Sequence, residues 1–173
     1  MPWTLMEALE KLSHAIAHGP TMLLVTCWLW ALSRARLGMW QMAAMAFPGT
    51  VCHELAHFVA GMVFFASPTS LSVLPTRKAG GYRMGQVTFR RLGVLNGLFV
   101  SLAPLVLVPL AILLISWSIG AYGRQTYLSW FASGTLAANL LFAATPSPTD
   151  LRAGLPSMLF YALLLGVVWL LAS

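Results

Sequence analysis

The chain predicts an all-α polytopic membrane bundle of about five transmembrane segments, with a small cytosolic-face β-hairpin. Three observations carry that expectation. Of 173 residues, 59% are hydrophobic and 8% are charged, whereas a soluble globular domain carries about 25% charged residues. The mean hydropathy is +0.81. The apolar residues gather in long runs, and the longest stretch outside them is Ser67–Arg91. No separate soluble domain fits, so residues 1–173 read as one membrane domain.

Residues 1–18 read as an interfacial amphipathic helix. Thr4 and Glu7 match a capping box, and Trp3, Met6, Leu9, Leu12 and Ile16 gather on one side. Gly19-Pro20 is expected to break it. The first span is Pro20–Ser33, and the second is Leu37–Ala66. The third is Leu92–Gly120, which Pro104 and Pro109 should kink or split into half-helices. Tyr127–Thr145 is the fourth and Leu155–Ala172 the fifth. Between the second and third spans, Ser70–Leu74 alternates, Gly80-Gly81 signals a turn, and Tyr82–Arg90 favours extended structure, which together predict the hairpin. The N-terminus lacks a basic region and a small-residue cleavage site, so no removable signal peptide is expected.

The charges orient this layout. With five spans, Lys11, Arg77, Lys78, Arg83, Arg90, Arg91 and Arg152 lie on one side, and Arg34, Arg36 and Arg124 on the other. Seven against three places the N-terminus and the Ser67–Arg91 loop in the cytosol and the C-terminus on the far side. The net charge of +6 therefore needs no nucleic-acid partner. Cys27 and Cys52 both sit in apolar segments, as free thiols rather than a disulfide framework.

One motif carries chemistry. His53-Glu54-Leu55-Ala56-His57 lies in a run, Met42 to Ala66, with no other charged residue. Histidines four apart project from one helix face and can hold one metal ion. A glutamate beside the first can act as general base, as in metalloproteases. Charged side chains at mid-bilayer cost at least ~2.5–3.5 kcal/mol, so such residues are functional candidates by default. A hydrogen-bonded polar cluster between helices is the alternative.

Catalytic zinc takes three protein ligands and keeps one position open. The acids are Glu7, Glu10, Glu54 and Asp150. The first two lie on the N-terminal helix and Glu54 is wanted as base, which leaves Asp150. It follows Thr145-Pro146-Ser147-Pro148-Thr149, whose prolines should keep the stretch out of regular helix and let it fold inward. Otherwise Asp150 pairs with Arg152 at the interface.

HELAH in one span, with a proline-containing Asp motif at the end of a later one, resembles the site-2 protease family of intramembrane zinc metalloproteases. The resemblance covers residues 42–155, including the hairpin-like loop. It implies a three-helix catalytic core, zinc held by His53, His57 and Asp150, Glu54 as base, and cleavage of membrane-spanning protein substrates within the bilayer. Two other readings stay open: a non-proteolytic zinc-binding scaffold or assembly factor, and a small transporter component.

Asn96 and Asn139 are polar residues within spans, suited to interhelix hydrogen bonds or to substrate contact. Val73 and Val87 lie on the hairpin, whose edge could pair with an extended substrate strand. His14 and His18 are four apart but enclose no carboxylate base. Gly93 with Gly97, and Gly134 with Ala138, suit close helix packing. Trp40 and Trp130 read as interfacial anchors, and Met39, Met42 and Met45 as filler.

Overall fold

The apolar runs fold into helices, and the basic loop between the second and third runs folds into paired strands. The structure is a computed structural model that describes residues 5–34, 38–78, 81–121 and 124–172. Trp3, Thr4, Arg36, Ala79 and Gly80, and with them the expected cap of the first helix and half of the Gly80-Gly81 turn, lie outside the described residues.

Helix α1 runs unbroken over Leu5–Arg34. Gly19-Pro20 does not interrupt it, so the segments expected as an interfacial helix and a first span form one continuous helix. A helical proline forfeits one backbone bond and crowds the preceding turn. Packing on a later helix offsets that here: Val25 and Leu32 are buried, and Trp130 Nε1 donates to Thr21 Oγ1 at 3.0 Å.

Helix α2 spans Met39–Val63 and carries HELAH. It ends without a glycine. The Ala66 N–H reaches back to the Gly61 carbonyl at 2.8 Å and Phe65 to Met62 at 3.3 Å, with Phe65 at φ 58°. That is a Schellman closure built on a bulky residue, a conformation that costs about 1–2 kcal/mol. Ser67, at φ 53°, completes the reversal into the strands.

The hairpin is present but stepped. Strand β1 (Pro68–Ser72) pairs antiparallel with β4 (Gln86–Phe89), and β2 (Thr76–Lys78) with β3 (Gly81–Arg83). The expected single strand Tyr82–Arg90 is interrupted at Met84-Gly85. The hairpin lies on α2: a Cβ at Gly61 would strike the Phe89 ring, and one at Gly85 would strike the Glu54 carboxylate. Those two helix positions are seven apart, so β4 and the link before it follow the same face of α2 that carries His57.

Pro104 does split the third run. Helix α3 (Gly97–Ser101) is followed by a 3₁₀ turn at Ala103–Val106 and helix α4 (Leu107–Gly120). Pro109 falls in the first turn of α4, where its missing N–H has no helical acceptor to lose. Helix α5 (Tyr127–Ala143) is the hub against which α1, α2 and α4 pack. Its buried Ala137, Ala138, Leu140 and the following Ala144 meet Val25 on one side and Leu107 and Ala111 on the other. Gly49 of α2 sits against the Asn139 backbone and Ala143 Cβ, and Gly134 against Leu24. Gly93 faces open space, so only Gly97 of that pair packs, against Ser157.

Helix α6 begins at Pro148 and runs to Ala172, starting seven residues before the expected fifth span. Two helical stretches among the described residues, Ala103–Gly120 and Pro148–Ala172, are long and apolar enough to cross a membrane. Helix α5 has 17 residues, ~26 Å at ~1.5 Å per residue. Cys27 and Cys52 are both free.

Candidate metal centre

Helical periodicity places His53 and His57 one turn apart on α2, and both rings turn toward the start of α6. Their Nε2 atoms lie 3.2 Å apart. Asp150 Oδ2 lies 3.5 Å from His53 Nε2 and 3.4 Å from His57 Nε2. The three ligand atoms therefore form a nearly equilateral triangle. Tetrahedral zinc at ~2.0–2.2 Å from its ligands requires edges of ~3.3–3.6 Å.

Outer hydrogen bonds explain why the rings face this way. His53 Nδ1 donates to the Ala143 carbonyl at 2.6 Å, and His57 Nδ1 donates to the Val100 carbonyl at 2.7 Å. A proton on each Nδ1 leaves each Nε2 as a bare lone pair. Two such lone pairs and a carboxylate oxygen converging at these distances repel one another without a cation between them. The donor set thus fits a divalent metal ion, and His53, His57 and Asp150 are the residues that could hold it.

Both carbonyls keep a lone pair for an imidazole because the helices break beside them, although the Val100 oxygen also accepts a main-chain N–H at the cap of α3. In a continuous helix the Val100 oxygen would take the N–H of the fourth residue on, but that residue is Pro104, which has none. The Ala143 oxygen belongs to the last turn of α5, whose carbonyls lack helical partners. Its would-be donor, the Ser147 N–H, instead bonds Asp150 Oδ2 at 2.7 Å. Gly49, one turn before His53, lets α2 approach α5 closely enough to set the Ala143 carbonyl against the ring.

Asp150 reaches the site differently from the inward-folded, non-helical loop the sequence suggested. Only Thr145, Pro146 and Ser147 are non-helical after α5 and its capping residue, and Asp150 stands in the first turn of α6. Pro148 occupies the first helical position, where a fixed φ and a missing N–H do no harm. Ser147 caps the helix: its Oγ accepts from the Asp150 N–H at 3.2 Å while its own N–H goes to Asp150. This reciprocal Ser-x-x-Asp pair was readable from sequence as a helix start. Among the described residues the Asp150 carboxylate lies against the two histidine Nε2 atoms and makes no ion pair with Arg152.

Glu54 is 7% exposed and lines the same cavity of about 1160 Å³ as the three ligands. The Met84-Gly85 link of the hairpin closes over it, with Gly85 against the carboxylate. Val87 also lines the cavity, together with Phe89, Phe142 and Ser101. The other substrate candidates stand elsewhere. Asn96 accepts from the Gly93 N–H at 2.8 Å and donates to the Arg91 and Phe64 carbonyls at 2.9 and 3.2 Å, tying the hairpin exit to the end of α2. Asn139 is buried, donates to the Thr135 carbonyl at 3.0 Å, and lines a separate cavity with Trp28 and Pro48. Val73 lies between β1 and β2, outside both strand ladders and outside the cavity lining.

Sequence reasoning missed Val100, Ala143 and Ser147 as parts of the site. The first two act through main-chain oxygens and leave no side-chain signature, although Pro104 marks the first of them. Comparisons of the chain with protein-family models, with curated proteins and with solved structures found no match.

Proposed function

We propose that this chain is a zinc-dependent intramembrane endopeptidase, similar to the site-2 protease family, that hydrolyses a peptide bond in or near a membrane-spanning segment of a substrate protein. The observation that supports this most is the ligand triangle of His53, His57 and Asp150 with Glu54 in the same cavity. In this reading the helices form five spans, with the N-terminus and the hairpin in the cytosol.

Zinc bound by the three residues would polarise the scissile carbonyl and acidify a water molecule. Glu54 takes a proton from the attacking water and delivers it to the leaving amine nitrogen. The Val100 and Ala143 carbonyls hold the imidazoles in the tautomer that keeps Nε2 unprotonated. A helical substrate hides its backbone, so the bond must be presented in an extended segment. The Gln86–Phe89 strand has one edge on β1 and lines the cavity with Val87 and Phe89, which suits main-chain pairing with such a segment.

The test is metal analysis of the purified protein beside its Glu54→Gln variant, with a cleavage assay on co-expressed membrane proteins. Glu54→Gln keeps shape and hydrogen bonding but removes the basic carboxylate. Zinc content should persist while cleavage falls by at least ~10²–10⁴-fold. Cleavage by the variant at the parental rate would overturn the mechanism. Failure of the parent to cut any substrate, with zinc bound, would favour a zinc-holding scaffold.

A further inference from the structure

The charges of this chain are unevenly placed. Six of the ten Lys and Arg residues, Arg77, Lys78, Arg83, Arg90, Arg91 and Arg152, belong to the hairpin segment and the start of α6. Arg83 and Arg152 line the metal cavity, one from the hairpin and one from α6, whereas Arg90 and Arg91 do not. The carboxylates lining the cavity are Glu54 and Asp150, one wanted as base and one placed as ligand. With a divalent ion in place, two carboxylates face two guanidiniums and the ion, so the cleft carries a surplus of two positive charges. Arg83 Nη1 donates to Gln86 Oε1 at 2.8 Å, which holds the guanidinium across the Met84-Gly85 link that covers Glu54. A guanidinium has five N–H donors, so this bond leaves most of them available.

From this placement we infer that the cleft selects substrates carrying an Asp or Glu side chain close to the scissile bond, held by Arg83 and Arg152. The inference rests on the proteolytic reading and adds the substrate class. It is a discriminating requirement, because ordinary membrane segments carry Lys and Arg on their cytosolic flank. Such a flank meets like charge in this cleft and is repelled, while an acidic flank is attracted. Anionic lipid headgroups are the competing ligand for these arginines. Arg90 and Arg91 lie outside the cavity lining, so they suit headgroups better than the two arginines that share the cavity with the ligand triangle.

Binding can be measured apart from turnover on the zinc-loaded Glu54→Gln protein in a non-ionic detergent. The probes are synthetic peptides with an apolar segment of about twenty residues, flanked at one end by Asp-Asp, Asn-Asn or Lys-Lys. The Asp-flanked peptide should bind about five- to tenfold more tightly than the Asn-flanked one. The Lys-flanked peptide should bind most weakly, and the differences should shrink at high salt. R83Q/R152Q should remove the discrimination, and R152E should shift preference toward the Lys-flanked peptide, a gain that misfolding cannot mimic. Equal affinity for the Asp and Asn peptides would overturn the inference. So would a preference that survives R83Q/R152Q while native mass spectrometry shows that variant losing bound anionic lipid. If the preference holds but the parent protein cuts none of the peptides, selective binding stands and the proteolytic reading falls.

Discussion

Helix α2 and helix α6 each supply residues of the candidate metal centre, yet they are held in opposite ways. The α2 face that carries His53 and His57 is packed on α5 through Gly49, covered by the hairpin through Gly61 and Glu54, and pinned by two carbonyl bonds. Among the described residues helix α6 packs mainly on α3, through Gly97 against Ser157, Gly154 against Ser101, and a Tyr161 hydroxyl bond to the Leu95 carbonyl at 2.9 Å. Beyond Tyr161 its described residues are exposed. Two of the candidate ligands are thus built into the body of the protein, and the third arrives on a helix fastened at one end. A metal ion in the triangle would tie α6 to α2 directly through His53, His57 and Asp150.

Removing a ligand from each side breaks this comparison most severely. His57→Ala should abolish stoichiometric zinc binding while leaving the other helices packed, since the α2–α5 contact does not use that ring. Asp150→Ala should also lower zinc affinity, by at least ~10²-fold, and should loosen α6 as well. Metal content of purified protein checks the first effect and protease sensitivity of α6 the second. Full zinc retention in His57→Ala would remove the site. An α6 equally protected in Asp150→Ala and parent would remove the clasp.

Chelation tests the same asymmetry without mutation. Spin labels at Val59 of α2 and Leu163 of α6, both exposed, can be placed in a background lacking Cys27 and Cys52. With zinc the distance distribution should be narrow, and with a chelator it should broaden. Labels at Val59 and on α5, for instance at Leu136, should report no change. Identical broadening of both pairs would mean that the metal stabilises the whole protein rather than docking one helix.

These expectations show where sequence reading reached and where it stopped. HELAH was legible because two side chains and a period of 3.6 suffice to define it. Asp150 was reachable by elimination, because the chain has so few acids. Its local structure departs from the sequence expectation because the Ser147-x-x-Asp150 pattern makes Pro148 a helix start rather than a helix breaker. The continuity of α1 through Pro20 depends on α5, more than a hundred residues away, and no local signal reports that. The end of α2 was hidden because Phe65 occupies a position that usually announces itself by glycine. Hairpin existence was legible from alternation, while its step at Met84-Gly85 follows from contact with Glu54.

Pro104 sharpens the comparison from the body side, where support comes from the backbone. Pro104→Ala restores an N–H that can bond the Val100 carbonyl and so compete with His57 Nδ1. Helical continuity between α3 and α4 should improve, yet zinc affinity should fall by ~10–100-fold, the usual cost of losing an outer partner of a metal-bound histidine. Thermal stability without metal and zinc affinity would then move in opposite directions. Unchanged affinity would show that the Val100 bond does not orient the ring.

Ser147→Ala is the matching test on the α6 side, and its effect should be the smallest. Two bonds join Ser147 and Asp150, and they run in opposite directions. The Ser147 N–H donates to Asp150 Oδ2, and the Asp150 N–H donates to Ser147 Oγ. Alanine removes only the second, so the bond that orients the carboxylate survives. Loss of the cap should cost about 0.5–2 kcal/mol of α6 docking stability, while zinc affinity changes less than about tenfold, below the 10–100-fold cost of losing a metal ligand's outer partner. Ser147→Pro removes the N–H as well and should cost more affinity than Ser147→Ala. The contrast separates capping from orientation, because both variants lose the hydroxyl and only one loses the main-chain donor. Equal zinc affinity in the two would assign the position of Asp150 to the α3–α6 seam rather than to the turn that begins the helix.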